Sequence, residues 1–589
     1  MLYMMRYVLI IVLSIIPFLS SFTLPLSRPP LRLDFALKAK SSSTVDVIIV
    51  GGGLSGLCTG SLLAQTDKNV LLLESHDTVG GCCHTWTRKT KEGVFHFESG
   101  PSLYSGLSST HSFNPLKNVF QIIGEEPEVI EYDRWGTVFP DGTKLAAPIG
   151  PDGFNEVLMG KYGTQEGRKE WASIMSRMRE VGEASQALTS MSLREDVGVI
   201  RTAALRYPGG MIKTLKYANQ LTAPFKDVME ELDIKDPFVK NWLDMLCFLL
   251  QGLPAEGAMN AVIGYMLQDW YKPGVTLDFP RGGSGGIVDA LVRGIEREGG
   301  NGEVRLNTHV TGLMFDQEGS RCTGVKCGDG TVVTAREAVV CNLTPHAIKN
   351  ILGDGAGEEL KGYVKGLANN NKEEGGVEDL KSFIHLHAAI KADGLPKEPS
   401  ADFPAQWAVI RDWDSEGGVE AERNIVLCTM TSLIDDTLAP EGYHVLHAYV
   451  PATEPYCKWE GLDRRSPEYK AMKDEAEDFL WKALEEYIPN GRERAVMGTV
   501  QVGTPLTHER FLRREGGSYG PRAVAGVDTL PAHKAKGAEN LWFEGDYFFP
   551  GIGVPACASG GAIVANSIVD VSTHLGWLDK IKLPGREKV

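Results

Sequence analysis

A buried strand runs directly into a glycine-rich turn near the start of the chain. Val45 to Val50 read VDVIIV, a β-branched run typical of a strand in a parallel sheet. Gly51, Gly53 and Gly56 follow, where they permit a tight turn, close approach to a pyrophosphate, and packing of the next helix. A second apolar strand ends at Glu74, whose carboxylate can accept hydrogen bonds from a ribose diol. The pattern predicts a Rossmann-like unit that binds a dinucleotide at a helix N-terminus.

A second turn of the same kind lies at the far end of the chain. A short strand is predicted over Leu541–Glu544, and after a loop a helix rich in small residues is predicted from Ala556 to about Val571. The amide groups at the start of that helix would face a cofactor ring or a pyrophosphate, and a carboxylate before it would contact a hydroxyl or phosphate group. The candidate cofactor contacts of this segment are Gly545, Asp546, Gly553 and Val554.

A Gly-Gly pair after Glu74 separates two classes of dinucleotide. Gly80 and Gly81 come six residues after the acid, and an acid followed in this way resembles the flavin-binding two-domain oxidoreductases. The resemblance implies FAD rather than NAD. Many members of that class carry an Arg after the pair, but Cys82 and Cys83 stand there in this chain. A guanidinium contact to the cofactor phosphates is therefore not expected at that place.

Strands in the middle of the chain complete the same unit. Residues 303–310, 324–326 and 338–340, the last leading to Asn342, are predicted strands, and the resemblance implies that Val310 contacts the adenine through its backbone. The predicted fold class is α/β, a discontinuous Rossmann-like FAD-binding domain interleaved with an α+β substrate domain. The predicted segments are a targeting presequence at 1–44, FAD-binding parts at 45–125, 300–350 and 536–575, substrate parts at 126–299 and 351–535, and a C-terminal tail at 576–589.

Charge and cysteine content exclude several classes of partner. The chain has 60 Lys and Arg against 76 Asp and Glu, a net charge of −16, whereas nucleic-acid binding favours net positive charge. The ten cysteines are scattered without a CxxC pair, which is neither a zinc framework nor a disulfide scaffold. No nucleic-acid partner and no metal are predicted, and a reducing compartment is favoured.

The N-terminus has the composition of a targeting signal. An apolar run over Tyr7–Leu19 is too short to span a bilayer and fits a signal peptide. The stretch after it is basic, serine-bearing and nearly free of acids, as in a transit peptide. The two in series, with Phe22 at the join, resemble the bipartite plastid presequence of algae with complex plastids. Plastid location is predicted, with a plain secretory signal or a membrane anchor as the alternative.

Three longer motifs resemble one family. Phe279–Gly286 (FPRGGSGG), Met430–Val450 and Val502–Pro521 are similar to the carotenoid isomerase and phytoene desaturase family, and to its prolycopene isomerase branch. The resemblance extends over nearly the whole chain after Val45. It implies FAD, a carotenoid substrate and, most simply, cis-trans isomerisation. The Gly-Asp-Ser of that family is Gly545-Asp546-Tyr547 here, and the segment 361–380 is predicted to be a loop insertion.

The reaction itself stays open at this stage. A plain polyene has no ionisable group, so the flavin would supply the difficult step while the protein positions the substrate and excludes water. Desaturation, saturation and hydration are alternatives on the same scaffold. A flavin amine oxidase and a flavin-free prenyl-binding escort protein are more distant ones. The catalytic residues, the particular carotenoid and the electron donor or acceptor are not predicted.

Several polar residues are candidates for a role in the site. His385 and His387 alternate on a predicted strand and so share one face, but no third metal ligand accompanies them at a recognisable spacing. His444 and His447 form a similar pair. The sequence also leaves open whether Glu509 and its neighbour Arg510 line the flavin or hold a loop by an ion pair, and it favours the structural role.

One basic segment stands out in this acidic chain. Residues 197–226 contain five cations interleaved with apolar residues and no Asp or Glu. Basic and apolar residues in alternation are typical of a segment at a membrane surface. The segment predicts peripheral membrane contact, and an ordinary amphipathic helix with a solvated basic face is the alternative.

Overall fold

The structure is a computed structural model that describes residues 43–100, 103–369, 381–518 and 520–585. The predicted presequence at 1–44 lies almost wholly outside the described residues. The first strand begins at Ser43, two residues before the predicted start. No helix in the described ranges is long and apolar enough to cross a membrane.

The chain contains eighteen strands and about as many helices within the described residues. The strands are β1 (Ser43–Val50), β2 (Val70–Leu73), β3 (Thr85–Thr90), β4 (Gly93–Glu98), β5 (Val129–Tyr132), β6 (Arg134–Val138), β7 (Lys144–Pro148), β8 (Leu277–Pro280), β9 (Gly302–Arg305), β10 (Val310–Phe315), β11 (Cys322–Cys327), β12 (Val332–Asn342), β13 (Lys381–Lys391), β14 (Gln406–Ile410), β15 (Ile425–Thr429), β16 (Tyr443–Pro455), β17 (Gln501–Gly503) and β18 (Leu541–Glu544). The longer helices are α1 (Leu54–Leu63), α2 (Pro115–Ile123), α3 (Gln165–Ala187), α4 (Gly198–Arg206), α5 (Pro208–Thr222), α6 (Phe225–Glu231), α7 (Pro237–Gln251), α8 (Asn260–Trp270), α9 (Ser284–Ile295), α10 (Pro345–Ile351), α11 (Glu358–Asn369), α12 (Pro467–Glu485), α13 (Pro505–Leu512), α14 (Val554–Ile568) and α15 (Val571–Leu578).

The first sheet draws strands from three distant parts of the chain. Its order is β10-β11-β12-β1-β2-β9, with β18 also paired to β12. Strands β1, β2, β9 and β18 run parallel to their neighbours. Helices α1, α2, α9 and α14 pack on one face, and α10 and α11 pack on the other. Because a parallel sheet must be covered on both faces, this part is a doubly wound α/β unit.

The second sheet lies in the other half of the molecule. Its order is β17-β13-β16-β15-β14-β6-β7. Helix α12 packs against one face, and a helical layer built from α3 and α5–α8 shares a core with β14 and β15. The predicted α/β fold with an interleaved α+β part is therefore confirmed.

The boundaries differ from the sequence-based ones at several places. The predicted strand over 303–310 is two strands, because Asn307 adopts a left-handed conformation (φ 52°) between β9 and β10. Helix α9 falls in a predicted substrate segment but packs on the first sheet. Residues 361–369 of the predicted loop insertion belong to helix α11, and 370–380 lie outside the described residues. The last cofactor helix begins at Val554 rather than Ala556, since Pro555 suits a first helical turn.

Candidate functional site

The first glycine turn brings the backbone close to β12. Gly51 has a φ of 100°, and a Cβ at Gly53 would lie 2.9 Å from the side-chain nitrogen of Asn342. A Cβ at Gly56 would lie 2.4 Å from the carbonyl oxygen of Gly51. No side chain caps the start of α1, so its first amide groups are available to an anion. The tight packing explains why glycine is needed at these positions.

Glu74 fixes the second side of this turn. One carboxylate oxygen accepts a hydrogen bond from the Gly52 amide at 2.7 Å, and the other accepts from the His76 amide at 2.8 Å. The Thr308 amide donates to the carbonyl oxygen of Glu74 at 2.8 Å. The chain leading to the buried Val310 therefore lies beside the end of β2.

The Gly-Gly pair packs directly on the first turn. The Gly80 amide donates to the Gly52 carbonyl oxygen at 2.7 Å. A Cβ at Gly81 would lie 3.3 Å from the Cα of Gly53. Both glycines have positive φ, 110° and 61°. The backbone of Gly80 and Gly81 therefore packs against the glycine turn that contains Gly52 and Gly53.

The second glycine turn meets the first across Asn342. Strand β18 pairs with β12 so that Glu544 lies beside Asn342, and a Cβ at Gly545 would lie 3.1 Å from the side-chain oxygen of Asn342. The Ser55 hydroxyl donates to the Cys557 carbonyl oxygen at 2.9 Å, which joins the first turns of α1 and α14. The two turns, from opposite ends of the chain, therefore lie together.

Helix α14 begins without a capping side chain. Gly553 stands at its N-cap with a φ of 89°, and Val554 is its first residue. The small residues of α14 let it lie against α1, because a Cβ at Gly561 would come within 2.5 Å of the Ser55 carbonyl oxygen. Both helices thus present uncapped N-termini next to each other, which favours a ligand with negative charge.

Asp546 is held by an arginine that the sequence analysis did not single out. The Arg514 guanidinium donates two hydrogen bonds to the Asp546 carboxylate, at 3.0 and 2.8 Å. Both side chains are about nine-tenths buried. Tyr547 lies under this pair, with the Arg514 guanidinium 5.3 Å from its ring centre and its hydroxyl bonded to Ser518. Tyr547 stands where the related family has a serine, and its ring therefore supports Arg514 from the core.

A large cavity adjoins the second turn. It has a volume of about 640 Å³, within the usual range for small-molecule sites. Near the turns it is lined by Cys82 and by the run Gly551–Ala556. Its remaining wall is largely apolar and includes Trp135, Phe154, Trp242, Phe248, Trp270, Tyr271 and Phe383. An apolar ligand in this cavity would reach the start of α14.

Comparison with known proteins identifies this architecture. Residues 54–569 match the family model described as flavin-containing amine oxidoreductase. The chain belongs to the flavin-containing amine oxidoreductase family. It is 25% identical over 540 residues to the chloroplastic prolycopene isomerase of Daucus carota, which covers 90% of this chain and 80% of that one. It is 26% identical over 537 residues to the corresponding protein of Arabidopsis thaliana, covering 89% and 83%.

The fold comparison agrees with this family. A solved oxidoreductase from Methanosarcina mazei superposes with a TM-score of 0.57 at 15% identity, covering 88% of this chain and 99% of that one. The resemblance to the carotenoid isomerase and phytoene desaturase family is confirmed by the relatives, which include a phytoene desaturase of Neurospora crassa. As a flavin-containing amine oxidoreductase, the chain is an FAD-dependent enzyme.

The residues of this family member fit FAD. The glycines leave room for a phosphate chain at two uncapped helix starts, and Glu74 stands at the end of β2 where a ribose diol would lie. The roles assigned to individual residues stay predictions. They are Gly51, Gly53, Gly56, Glu74, Gly80, Gly81, Val310, Gly545, Asp546, Gly553 and Val554. The structure places Asn342 and Arg514 in contact with members of this group. Asn342 had one sequence signal, a polar residue at the end of a buried strand.

Two buried carboxyl groups lie near the site and stay protonated to an unusually high pH. Glu544 accepts from the Thr59 hydroxyl at 2.5 Å, and its second oxygen has no hydrogen-bond partner. Burial raises its pKa to about 8. Burial also raises the pKa of Glu98 to about 7, although the Ser284 amide donates to both of its oxygens.

Four imidazoles lie together at the edge of the cavity. His387 on β13 pairs with His447 on β16, and His385 Nδ1 lies 2.7 Å from His447 Nε2. The ring of His508 lies 4.7 Å from that of His385. Burial lowers the pKa of all four, to about 4 for His387 and His508. These side chains are therefore neutral at neutral pH.

A third imidazole does accompany His385 and His387, since these two and His447 can place one nitrogen each within 4.8 Å of one another. Strand pairing, not spacing, brings them together. The rings are parallel, with His387 and His447 8° apart and 4.3 Å between centres. The nitrogens of His385 and His447 point at each other across a 2.7 Å hydrogen bond, which is closer than two nitrogens bound to one tetrahedral metal ion. The arrangement is a hydrogen-bonded stack of imidazoles.

The other candidate polar residues and thiols make contacts that stabilise the fold or are buried and protonated. Glu509 accepts from the Tyr456 hydroxyl at 3.1 Å, and the exposed Arg510 lies over the ring of Phe511. These two residues are therefore not an ion pair with each other, and neither lines the cavity. Cys82 and Cys83 are free thiols. Burial raises their pKa, to about 11 and about 12 respectively, so both stay protonated at neutral pH.

Proposed function

We propose that this flavoenzyme acts on a carotenoid-type polyene and that its reaction is cis-trans isomerisation. The observation that carries the proposal is the largely apolar cavity that reaches the uncapped start of α14. The resemblance to prolycopene isomerases over about nine-tenths of the chain supports the same substrate class. Prolycopene is therefore the first substrate to test.

The residues that line the cavity position the polyene and exclude water. Bound FAD supplies hydride transfer or electron donation. Isomerisation requires only a transient loss of double-bond character, so no acid or base is needed at the polyene. The apolar walls hold the chain of double bonds beside Gly551–Ala556 and keep water from it. The imidazoles of His385 and His508 at the wall are neutral and so place no charge against the polyene.

Product mass separates isomerisation from its alternatives. The holoenzyme is incubated without oxygen with prolycopene in liposomes, with FAD oxidised or reduced. We expect a product of unchanged mass with a shifted absorption spectrum. A gain or loss of two hydrogen atoms would instead indicate saturation or desaturation, and a gain of one water would indicate hydration. Failure to alter any carotenoid offered would contradict the proposal.

A matched pair of glycine variants tests whether the activity depends on the turn. Gly56→Ala places a methyl group 2.4 Å from a carbonyl oxygen, whereas Gly362→Ala in α11 meets open space. We expect Gly56→Ala to lose most of its bound FAD and its activity together. Gly362→Ala should keep both. Activity that survives without FAD would exclude a flavin-dependent reaction.

We also propose that the protein contacts a membrane surface, and that it does so in a plastid. On the α4–α5 segment, Val197, Leu205 and Ile212 are 71%, 55% and 66% exposed. Such side chains gain free energy by entering a lipid interface. The basic character of the segment is weaker than the sequence implied, because Arg206 pairs with Asp579 and Lys213 with Glu183. The chloroplastic relatives support the plastid location.

A further inference from the structure

One wall of the cavity carries polar groups with no partner. Tyr449 and His508 line the cavity, and neither the Tyr449 hydroxyl nor the His508 imidazole has a hydrogen-bond partner among the described residues. His385 lines the same wall. Its Nδ1 is bonded to His447 and its Nε2 is buried, so the His385 ring supports the wall while the hydroxyl of Tyr449 and the imidazole of His508 are the groups open to a ligand.

These three groups belong to one continuous surface. The His385 ring lies 5.3 Å from the Tyr449 ring and 4.7 Å from the His508 ring. Strand β16 supplies Tyr449, β13 supplies His385, and the first residues of α13 lead to His508. The polar wall, defined as Tyr449, His385 and His508, is thus assembled from three elements.

A pure hydrocarbon is a poor match for this wall. It would displace water and leave a hydroxyl and an imidazole unpaired, which costs free energy for each group. A neutral imidazole offers one donor and one acceptor, and a tyrosine hydroxyl can do both. The group that complements this set is one that also donates and accepts, namely a hydroxyl.

We propose that the polar wall binds a hydroxyl on the end group of the polyene, so that the preferred ligand is a hydroxylated carotenoid rather than a hydrocarbon. This inference rests on the proposed polyene function and specifies its substrate class. Sites built to bond a ligand hydroxyl reject the analogue that lacks it by large factors. The polar wall is therefore a specificity determinant, and the apolar walls determine affinity for the polyene chain.

The test uses two carotenoids that share one conjugated chain. Zeaxanthin carries a hydroxyl on each end ring and β-carotene carries none. Binding to the FAD-loaded full chain is followed by quenching of tryptophan fluorescence in detergent micelles. We expect the wild type to bind zeaxanthin at least about tenfold more tightly than β-carotene.

Variants test whether the polar wall causes the preference for zeaxanthin. Tyr449→Phe, and Tyr449→Phe combined with His508→Phe, should reduce the preference to less than about threefold by weakening zeaxanthin, with β-carotene unchanged. Tyr443→Phe is the matched control. It removes a hydroxyl from the same strand outside the cavity, where Tyr443 packs on Phe95, and it should keep the wild-type ratio.

The outcomes distinguish this inference from the proposed function. Equal binding of both carotenoids by the wild type, or a preference that survives in both wall variants, overturns the inference and leaves the polyene function standing. If neither carotenoid binds to protein that holds FAD, the proposed function is overturned and the inference with it. Spectra of bound FAD and far-ultraviolet circular dichroism check that each variant is folded.

Discussion

At the scale of single residues, the contact between Arg514 and Asp546 has the clearest consequence. Two hydrogen bonds join the groups, and both side chains are about 12% exposed. Removing one partner of a buried pair leaves the other charge without compensation. We expect Asp546→Asn to lower the free energy of unfolding by about 3 kcal/mol and to weaken FAD retention, both measurable by denaturant unfolding and flavin absorbance.

An exposed pair of the same type provides the control. Asp579 accepts from Arg206 at 2.9 Å, but its side chain is 53% exposed. Asp579→Asn should change the free energy of unfolding by less than about 1 kcal/mol, because water screens such pairs. Similar effects for the two variants would show that burial of Asp546 is not what matters.

The raised pKa of Glu544 predicts that the stability of the fold depends on pH. Burial raises its folded-state pKa from 4.5 to about 8, so between these values the folded state keeps a proton that the unfolded state has lost. Stability from this group is then complete below pH 4.5 and falls as pH rises, by up to about 1.4 kcal/mol per unit. Glu544→Gln cannot ionise, so we expect a smaller decline in unfolding free energy with rising pH.

Between pH 7 and pH 8, the effect of Glu544 on stability can be measured separately from that of Glu98. The pKa of Glu98 reaches only about 7, so most of its contribution has ended there. Urea unfolding of the FAD-loaded wild type and Glu544→Gln at both pH values measures the difference. Parallel pH profiles for the two proteins would mean that Glu544 is ionised in the folded state.

At the scale of elements, the helix pair α4–α5 is expected to meet the membrane. Leu205→Glu with Ile212→Glu places two charges on its exposed apolar face. We expect this double variant to lose most of its binding to vesicles with anionic lipids in a flotation assay, because each charge opposes burial of apolar surface. FAD content should stay at the wild-type level.

Two exposed apolar side chains elsewhere give a matched control. Val94 and Met497 are 39% and 88% exposed, and Arg88 on the strand paired with that of Val94 donates to the carbonyl oxygen of Gly498. Val94→Glu with Met497→Glu should leave vesicle binding unchanged. Equal losses in both double variants would mean that general charge, rather than α4–α5, governs the attraction.

Strand pairing is the element-scale feature that sequence reasoning could not supply. The alternation of His385 and His387 correctly predicted one shared face. The partner His447 is 60 residues beyond His387, and only the antiparallel register of β13 with β16 sets it opposite. Register depends on packing across the whole sheet. Residue spacing along the sequence therefore predicts neither the imidazole stack nor the polar wall.

At the scale of the whole molecule, early and late segments of the described chain meet. The first sheet takes β1 and β2 from the start, β9–β12 from the middle and β18 from the end. The Ser55–Cys557 contact spans 502 residues. A fold of this kind cannot be cut into consecutive domains, which is why the predicted segments alternate and why their boundaries shifted at α9 and α11.

The sequence by itself determined the α/β class, the FAD-type turns and their glycines, because backbone conformation and close approach demand particular residues at fixed local spacing. Only the tertiary structure decided which side chains complete the site. Arg514 reaches Asp546, Asn342 stands between the two turns, and Tyr449 and His508 share the cavity wall. These contacts join residues that are distant along the chain, and they depend on packing that no short pattern encodes.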